Sequence, residues 1–200
     1  MKRLNILSAA LFICSISFGQ ILKIHSGVSI SNLDWKIGSN EWKYNNESLI
    51  GYSFLVGLDY LNNTNFNLSS NIGLIKKGGK VIAIAENSAD RILDVSLDYL
   101  TLNTTCEFKY QLKNKVTPFI SYGPRLDMLL NELYLTTYNR FNYGLLLGGG
   151  IKYDINKIQL GFRLDYYFNF NKINMTRTEV FAGIINDKTL ACNLSFGYRL

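Results

Sequence analysis

The run Ile158-Gln159-Leu160-Gly161-Phe162-Arg163-Leu164-Asp165-Tyr166-Tyr167-Phe168-Asn169-Phe170 separates into two chemistries when every second residue is taken. Ile158, Leu160, Phe162, Leu164, Tyr166, Phe168 and Phe170 make one face, and Gln159, Gly161, Arg163, Asp165, Tyr167 and Asn169 make the other. A helix with 3.6 residues per turn would scatter both sets, so the stretch reads as a β-strand with an apolar side and a polar side.

The same period appears across the rest of the chain. Leu190, Cys192, Leu194, Phe196, Tyr198 and Leu200 oppose Ala191, Asn193, Ser195, Gly197 and Arg199. Further upstream, Tyr143, Leu145, Leu147, Ile151 and Tyr153 oppose Asn142, Gly144, Gly148, Gly150 and Lys152. Segments 116–130, 66–74, 51–60 and 22–30 alternate likewise, with Leu55 and Phe119 as apolar exceptions on polar faces. Segment 93–110 starts in one phase (Leu93, Val95, Leu97, Tyr99) and ends in the other (Leu100, Leu102, Cys106, Phe108, Tyr110). A bulge near Tyr99 is expected there, because one extra residue flips every later side chain. The total is eight strands. Their connections alternate between short turns (62–65, 112–115, 154–156) and long loops (33–47, 78–90, 131–141, 171–187).

Residues 1–19 read as a signal peptide, with Lys2 and Arg3 before the apolar run Leu4 to Phe18 and small Ser17 and Gly19 at the cleavage site. That run is too short to span a bilayer as a helix, and Ile13 before Cys14 does not suit a lipoprotein signal. The domain is then 20–200, and after Gln20 no apolar run is long enough for a spanning helix. Lipid admits only helices or closed barrels, since every backbone N–H and C=O needs a partner within the protein. The expected fold is all-β: an eight-stranded antiparallel up-and-down transmembrane barrel in the cell outer membrane, with short periplasmic turns and long extracellular loops.

A soluble periplasmic ligand-binding barrel is the competing reading, since it alternates too but turns its apolar side inward. Glycine and serine on the polar faces, aromatics at the strand ends and apolar bands of about 9–11 residues favour the membrane. The polar faces then line a lumen. They bring in Asp59, Glu107, Lys109, Arg125, Asp127, Lys152, Arg163, Asp165 and Arg199, a set that must pair because an unpartnered buried charge costs several kcal/mol. A structural network of ion pairs closing the barrel is the expectation, as eight strands leave an interior that side chains fill.

Composition narrows the chemistry. The formal charge of +6, less Lys2 and Arg3, leaves +4 spread thinly, with only Lys76, Lys77 and Lys80 close together; nucleic acid is not an expected partner. Cys106 and Cys192 fall on outward faces of non-adjacent strands and are expected to be free thiols. One histidine and no CxxC pair leave little to hold a metal, and no cofactor is expected. A lipid-modifying outer-membrane enzyme needs a nucleophile, a base and an orienting acid, and His25, the one imidazole, sits far from the expected outer rim. Gly148-Gly149-Gly150 lies within a strand with no helix after it, so it is barrel wall rather than a phosphate loop. These features describe a non-enzymatic, closed barrel whose surface loops meet a partner, or one with an envelope or secretion-associated structural role. Its expected partners are outer-membrane lipid, the barrel-assembly machinery through the C-terminal strand, and a surface or secretion-system protein.

The chain resembles the PorT-like outer-membrane β-barrel family, the small eight-stranded barrels of Bacteroidota. The likeness rests on Gln20 at the signal junction, Tyr99-Leu100-Thr101-Leu102 running into Phe108-Lys109-Tyr110, Pro118-Phe119-Ile120-Ser121-Tyr122-Gly123-Pro124, Leu147-Gly148-Gly149-Gly150-Ile151 and the closing Gly197-Tyr198-Arg199-Leu200. The chain departs from that family at Thr101-Leu102-Asn103, where Glu-Ile-Pro is frequent, and at Leu200, where barrels usually end in an aromatic. The resemblance implies an integral outer-membrane location and, for PorT itself, a part in protein secretion and gliding.

Overall fold

The computed structural model describes residues 20–37, 45–85, 88–112, 115–131, 140–171, 173–176 and 182–200; the expected signal peptide lies outside them. Among the described residues nine strands follow in order: β1 Ile21–Ile37, β2 Asn45–Asp59, β3 Phe66–Ala85, β4 Ser88–Lys109, β5 Val116–Leu129, β6 Phe141–Ile155, β7 Ile158–Asn169, β8 Ile173–Thr176 and β9 Ala182–Arg199. From β1 to β7 each strand pairs with the next, β7 pairs with β9, and β9 returns to β1 from Ile21↔Arg199 to Ile37↔Gly183. Eight antiparallel strands therefore close on themselves. The ninth, β8, pairs with the first residues of β9 above the closed part.

The alternation in 158–170 becomes inside and outside. Leu160, Phe162, Leu164, Tyr166, Phe168 and Phe170 are exposed on the outer wall, while Arg163, Asp165 and Tyr167 are buried in the lumen. Every long strand contributes to the same outward belt, for example Leu22 to Ile30 on β1 and Leu190 to Tyr198 on β9. At the long-strand end the belt stops at polar groups on the outer wall. Lys188 pairs with Asp34 at 2.6 Å, and Asp98 accepts from Tyr52 at 3.1 Å beside Lys76. At the opposite end the turns are tight. Asn156 (φ 53°) and Lys115 (φ 61°) take the left-handed conformation, which suits Asn156 because its short side chain tolerates it. With Asn156, Lys157 closes the β6–β7 hairpin between the paired Ile155 and Ile158.

Two expectations about elements are corrected. No bulge occurs near Tyr99: β4 keeps one register with β3 from Arg91 to Phe108, so the phase never changes. Instead Leu97 and Tyr99 point inward with Thr101 and Asn103, and it is the lumen that changes from apolar to polar along β4. The long loops are also shorter than read. The β3–β4 ladder continues to Ala85↔Ser88 through the stretch taken as a loop at 78–90, and 171–187 contains β8 and the start of β9. The hydrophobic period reports lipid on one face; beyond the belt both faces meet water, so the period fades while backbone pairing continues.

Candidate functional site

The lumen is lined by the inward residues of all eight closing strands, and small ones bring the walls close. Gly150 on β6 is such a place, since a Cβ there would meet the Phe162 carbonyl and the Phe119 ring. That ring fills the space, and the Lys152 ammonium and Arg163 guanidinium lie 4.7 Å and 5.9 Å from its centre. Phe119 breaks the alternation because it serves as an apolar support for two buried cations.

Charge is arranged in two groups. Toward the short-turn end, Glu107 on β4 collects Lys152, with Lys23 at 3.8 Å, Arg163 at 3.7 Å and the Asn67 amide at 2.7 Å. Lys23 also binds Asp59, and Arg163 grips Asp165 with two parallel hydrogen bonds of 2.7 Å. Toward the long-strand end, Lys77 bridges Asp127 at 2.8 Å and Asp187 at 2.9 Å. Arg125 joins Asp127 at 3.0 Å and also binds Asn169. Tyr99 and Tyr167 place their rings 5.1 Å from the Lys77 ammonium, and Thr189 donates to Asp187 at 2.6 Å.

Among the described residues the buried cations are Lys23, Lys77, Arg125, Lys152 and Arg163, and the buried anions are Asp59, Glu107, Asp127, Asp165 and Asp187. Each group is neutral by itself, which is what a low-dielectric interior demands of charges it cannot solvate. Around the second group lies an apolar cluster of Leu33, Ile75, Leu97, Leu146 and Ala191 with the two tyrosines.

Of the nine lumen charges named from the sequence, Asp59, Glu107, Arg125, Asp127, Lys152, Arg163 and Asp165 lie in these groups. Lys109 is half-buried at the short-turn mouth, and Arg199 stands exposed at the rim, where it pairs with Asp154 at 3.4 Å. Sequence reasoning left out Lys23, Lys77 and Asp187. Lys23 already lay on a polar face, the neighbouring Lys76 obscured the parity of Lys77, and Asp187 was counted in a loop. His25 is buried between Leu55 and Ser195, and among the described residues neither ring nitrogen has a hydrogen-bond partner. Cys106 and Cys192 are free. Among the described residues no group of three or more His, Cys, Asp or Glu side chains is placed to hold a metal ion.

The sequence profile of the outer membrane protein beta-barrel domain matches residues 21–174. No curated protein shows significant sequence similarity to the chain. Among solved structures, the outer membrane protein OprG from Pseudomonas aeruginosa is similar over 91% of this chain and 96% of its own, with 12% identity and a TM-score of 0.66. The outer membrane protein AlkL, solved in lipid bilayers, is similar over 91% of both chains, with 12% identity and a TM-score of 0.58. Neisserial surface protein A is similar over 90% of this chain and 97% of its own, with 11% identity and a TM-score of 0.53. At such identities the likeness is one of fold.

Proposed function

Because the chain belongs to the outer membrane protein beta-barrel family, we propose that it works as a closed, non-catalytic barrel that holds a rigid β-extension above the membrane for contact with a surface or secretion-associated partner. Its location is the outer membrane, with the tight turns in the periplasm and the long strands outside. The observation that carries the reading is the occupied lumen: among the described residues two neutral ion-pair groups and an apolar cluster lie inside the barrel, which supports closure against a solute. What then faces outward is the paired strand above the belt.

Two features weigh against the other readings. A soluble carrier would turn its apolar side inward, whereas here the outer wall carries the belt. A lipid-modifying site at the outer rim would need its imidazole there, and His25 is buried low in the lumen. The narrower likeness to PorT-like barrels, drawn from motifs such as Pro118 to Pro124, supports the secretion-associated version of the partner.

Two measurements test the proposal. The purified barrel in planar bilayers is expected to show no steady conductance, and stable single-channel steps would refute closure. Replacing 80–94 by a two-residue Asn-Gly turn shortens the β3–β4 extension without touching the belt. The expected result is a folded, heat-modifiable barrel that no longer cross-links to its surface partner in whole cells, and unchanged cross-linking would refute the contact role.

A further inference from the structure

The lumen balances its charges, but its periplasmic mouth does not. A cavity of about 310 Å³ opens there, lined among others by Asn62, Lys109, Lys152, Asp154, Gln159 and Arg199. Lys152 forms the back wall and is already committed to Glu107. Lys109 donates to the neutral side-chain oxygen of Asn62 and has no ion pair among the described residues. Arg199 has one, the long 3.4 Å contact with Asp154, whose same oxygen also accepts from Gln159 at 3.0 Å. Lys109 and Arg199 therefore line the recess with a single carboxylate, that of Asp154, leaving an excess of one positive charge in a recess otherwise walled by amides and hydroxyls.

We propose that this mouth is a binding site for a monocarboxylate presented from the periplasm, namely the C-terminal carboxylate of a peptide. Charge selects the class: one surplus positive charge matches a carboxylate, whereas a phosphate dianion would exceed it and meet Asp154 as well. Lysine and arginine donors make charge-assisted hydrogen bonds to carboxylate oxygens. The side-chain amides of Asn62 and Gln159 can give and take the hydrogen bonds of a peptide backbone. The volume is that of roughly ten water molecules, which admits a chain end and excludes a folded surface. Access from above is closed by the Glu107 group, so the ligand enters and leaves on the periplasmic side.

The test uses the mature chain in lipid nanodiscs, with tri-alanine as the free acid, tri-alanine amide and inorganic phosphate as probes. Side-chain NMR signals of Gln159 and Arg199 report occupancy. The free acid is expected to shift both saturably, while the amide and phosphate leave them in place. Lys109→Gln and Arg199→Gln are each expected to weaken the free acid about tenfold or more, the effect of losing one hydrogen bond to a charged group. Lys76→Gln, on the outer wall, is expected to leave it unchanged. The proposal is overturned if the amide binds as well as the acid, if phosphate saturates the same signals at the same concentration, or if the acid produces no saturable shift. The comparison of acid with amide uses the unmodified protein and holds whether or not the variants fold.

Discussion

Glu107 is the residue on which the lower lumen depends, because Lys23, Lys152 and Arg163 all converge on its carboxylate. Glu107→Gln keeps the shape and the hydrogen bond from Asn67 but leaves three buried cations with two anions. Removing one partner from a buried ionic group costs about 3–5 kcal/mol, and that is the loss of stability expected in urea unfolding from vesicles. Lys76→Gln removes an outer-wall contact of 3.9 Å between half-exposed groups and is expected to change stability by under about 1 kcal/mol. Most of this charge network was legible from the sequence, since period 2 assigns parity and parity assigns the lumen. It failed where parity was hidden, at Lys77 beside Lys76 and at Asp187 in a presumed loop, and it missed Lys23 although its parity was visible. The apolar exceptions Leu55 and Phe119 were visible as exceptions; that Phe119 supports two cations depends on residues from β6 and β7, which no local reading of β5 contains.

Among the strands, the β4–β5 seam is interrupted within the belt. The register between them is constant, yet the ladder lapses at Thr104 and Thr105, opposite Pro124 and Gly123. Proline has no N–H to give, and within a sheet it removes a ladder hydrogen bond. Gly123 on the same strand lets the two backbones approach, since a Cβ would run into the Thr104 carbonyl and the Thr105 backbone. The amide of Thr104, which faces Pro124, is therefore expected to exchange with deuterium faster than those of Leu102 and Cys106, which face the same strand, as measured by NMR in nanodiscs; equal protection at the three would contradict a weak seam. The expected bulge at Tyr99 was a misreading of a different kind. A change in which side is apolar can come from an inserted residue or from a change in what the lumen contains, and the sequence of one strand cannot separate them. Only the partner strands can, through Ile75, Leu146 and Tyr167, which make the outer lumen apolar where Leu97 and Tyr99 enter it.

For the molecule as a whole, the belt and the closed ladder predict an integral membrane protein. After a carbonate wash it is expected to stay with the membrane, and unheated samples are expected to migrate ahead of boiled ones on a gel; release by carbonate without a heat shift would contradict the barrel. Closure and strand number were readable from eight alternating segments and the short-then-long rhythm of connections. The height of the wall was not, because strand above the belt carries no lipid signature. Among the described residues that height is uneven. β4 begins at Ser88 but meets β5 only from Tyr99 onward, so roughly 35 Å of strand rises past its neighbour's end. β9 and β1 likewise run on above the last β7 pair, at Tyr167 and Thr189. A cylinder is the same from every bearing, but this one has a front and a back. Among the described residues, a neighbour arriving from the β3–β4 side meets more paired strand than one arriving from the β5–β7 side. Rotation about the membrane normal thus becomes a property that neighbours can distinguish, and an assembly containing this barrel has a defined orientation in the plane of the membrane.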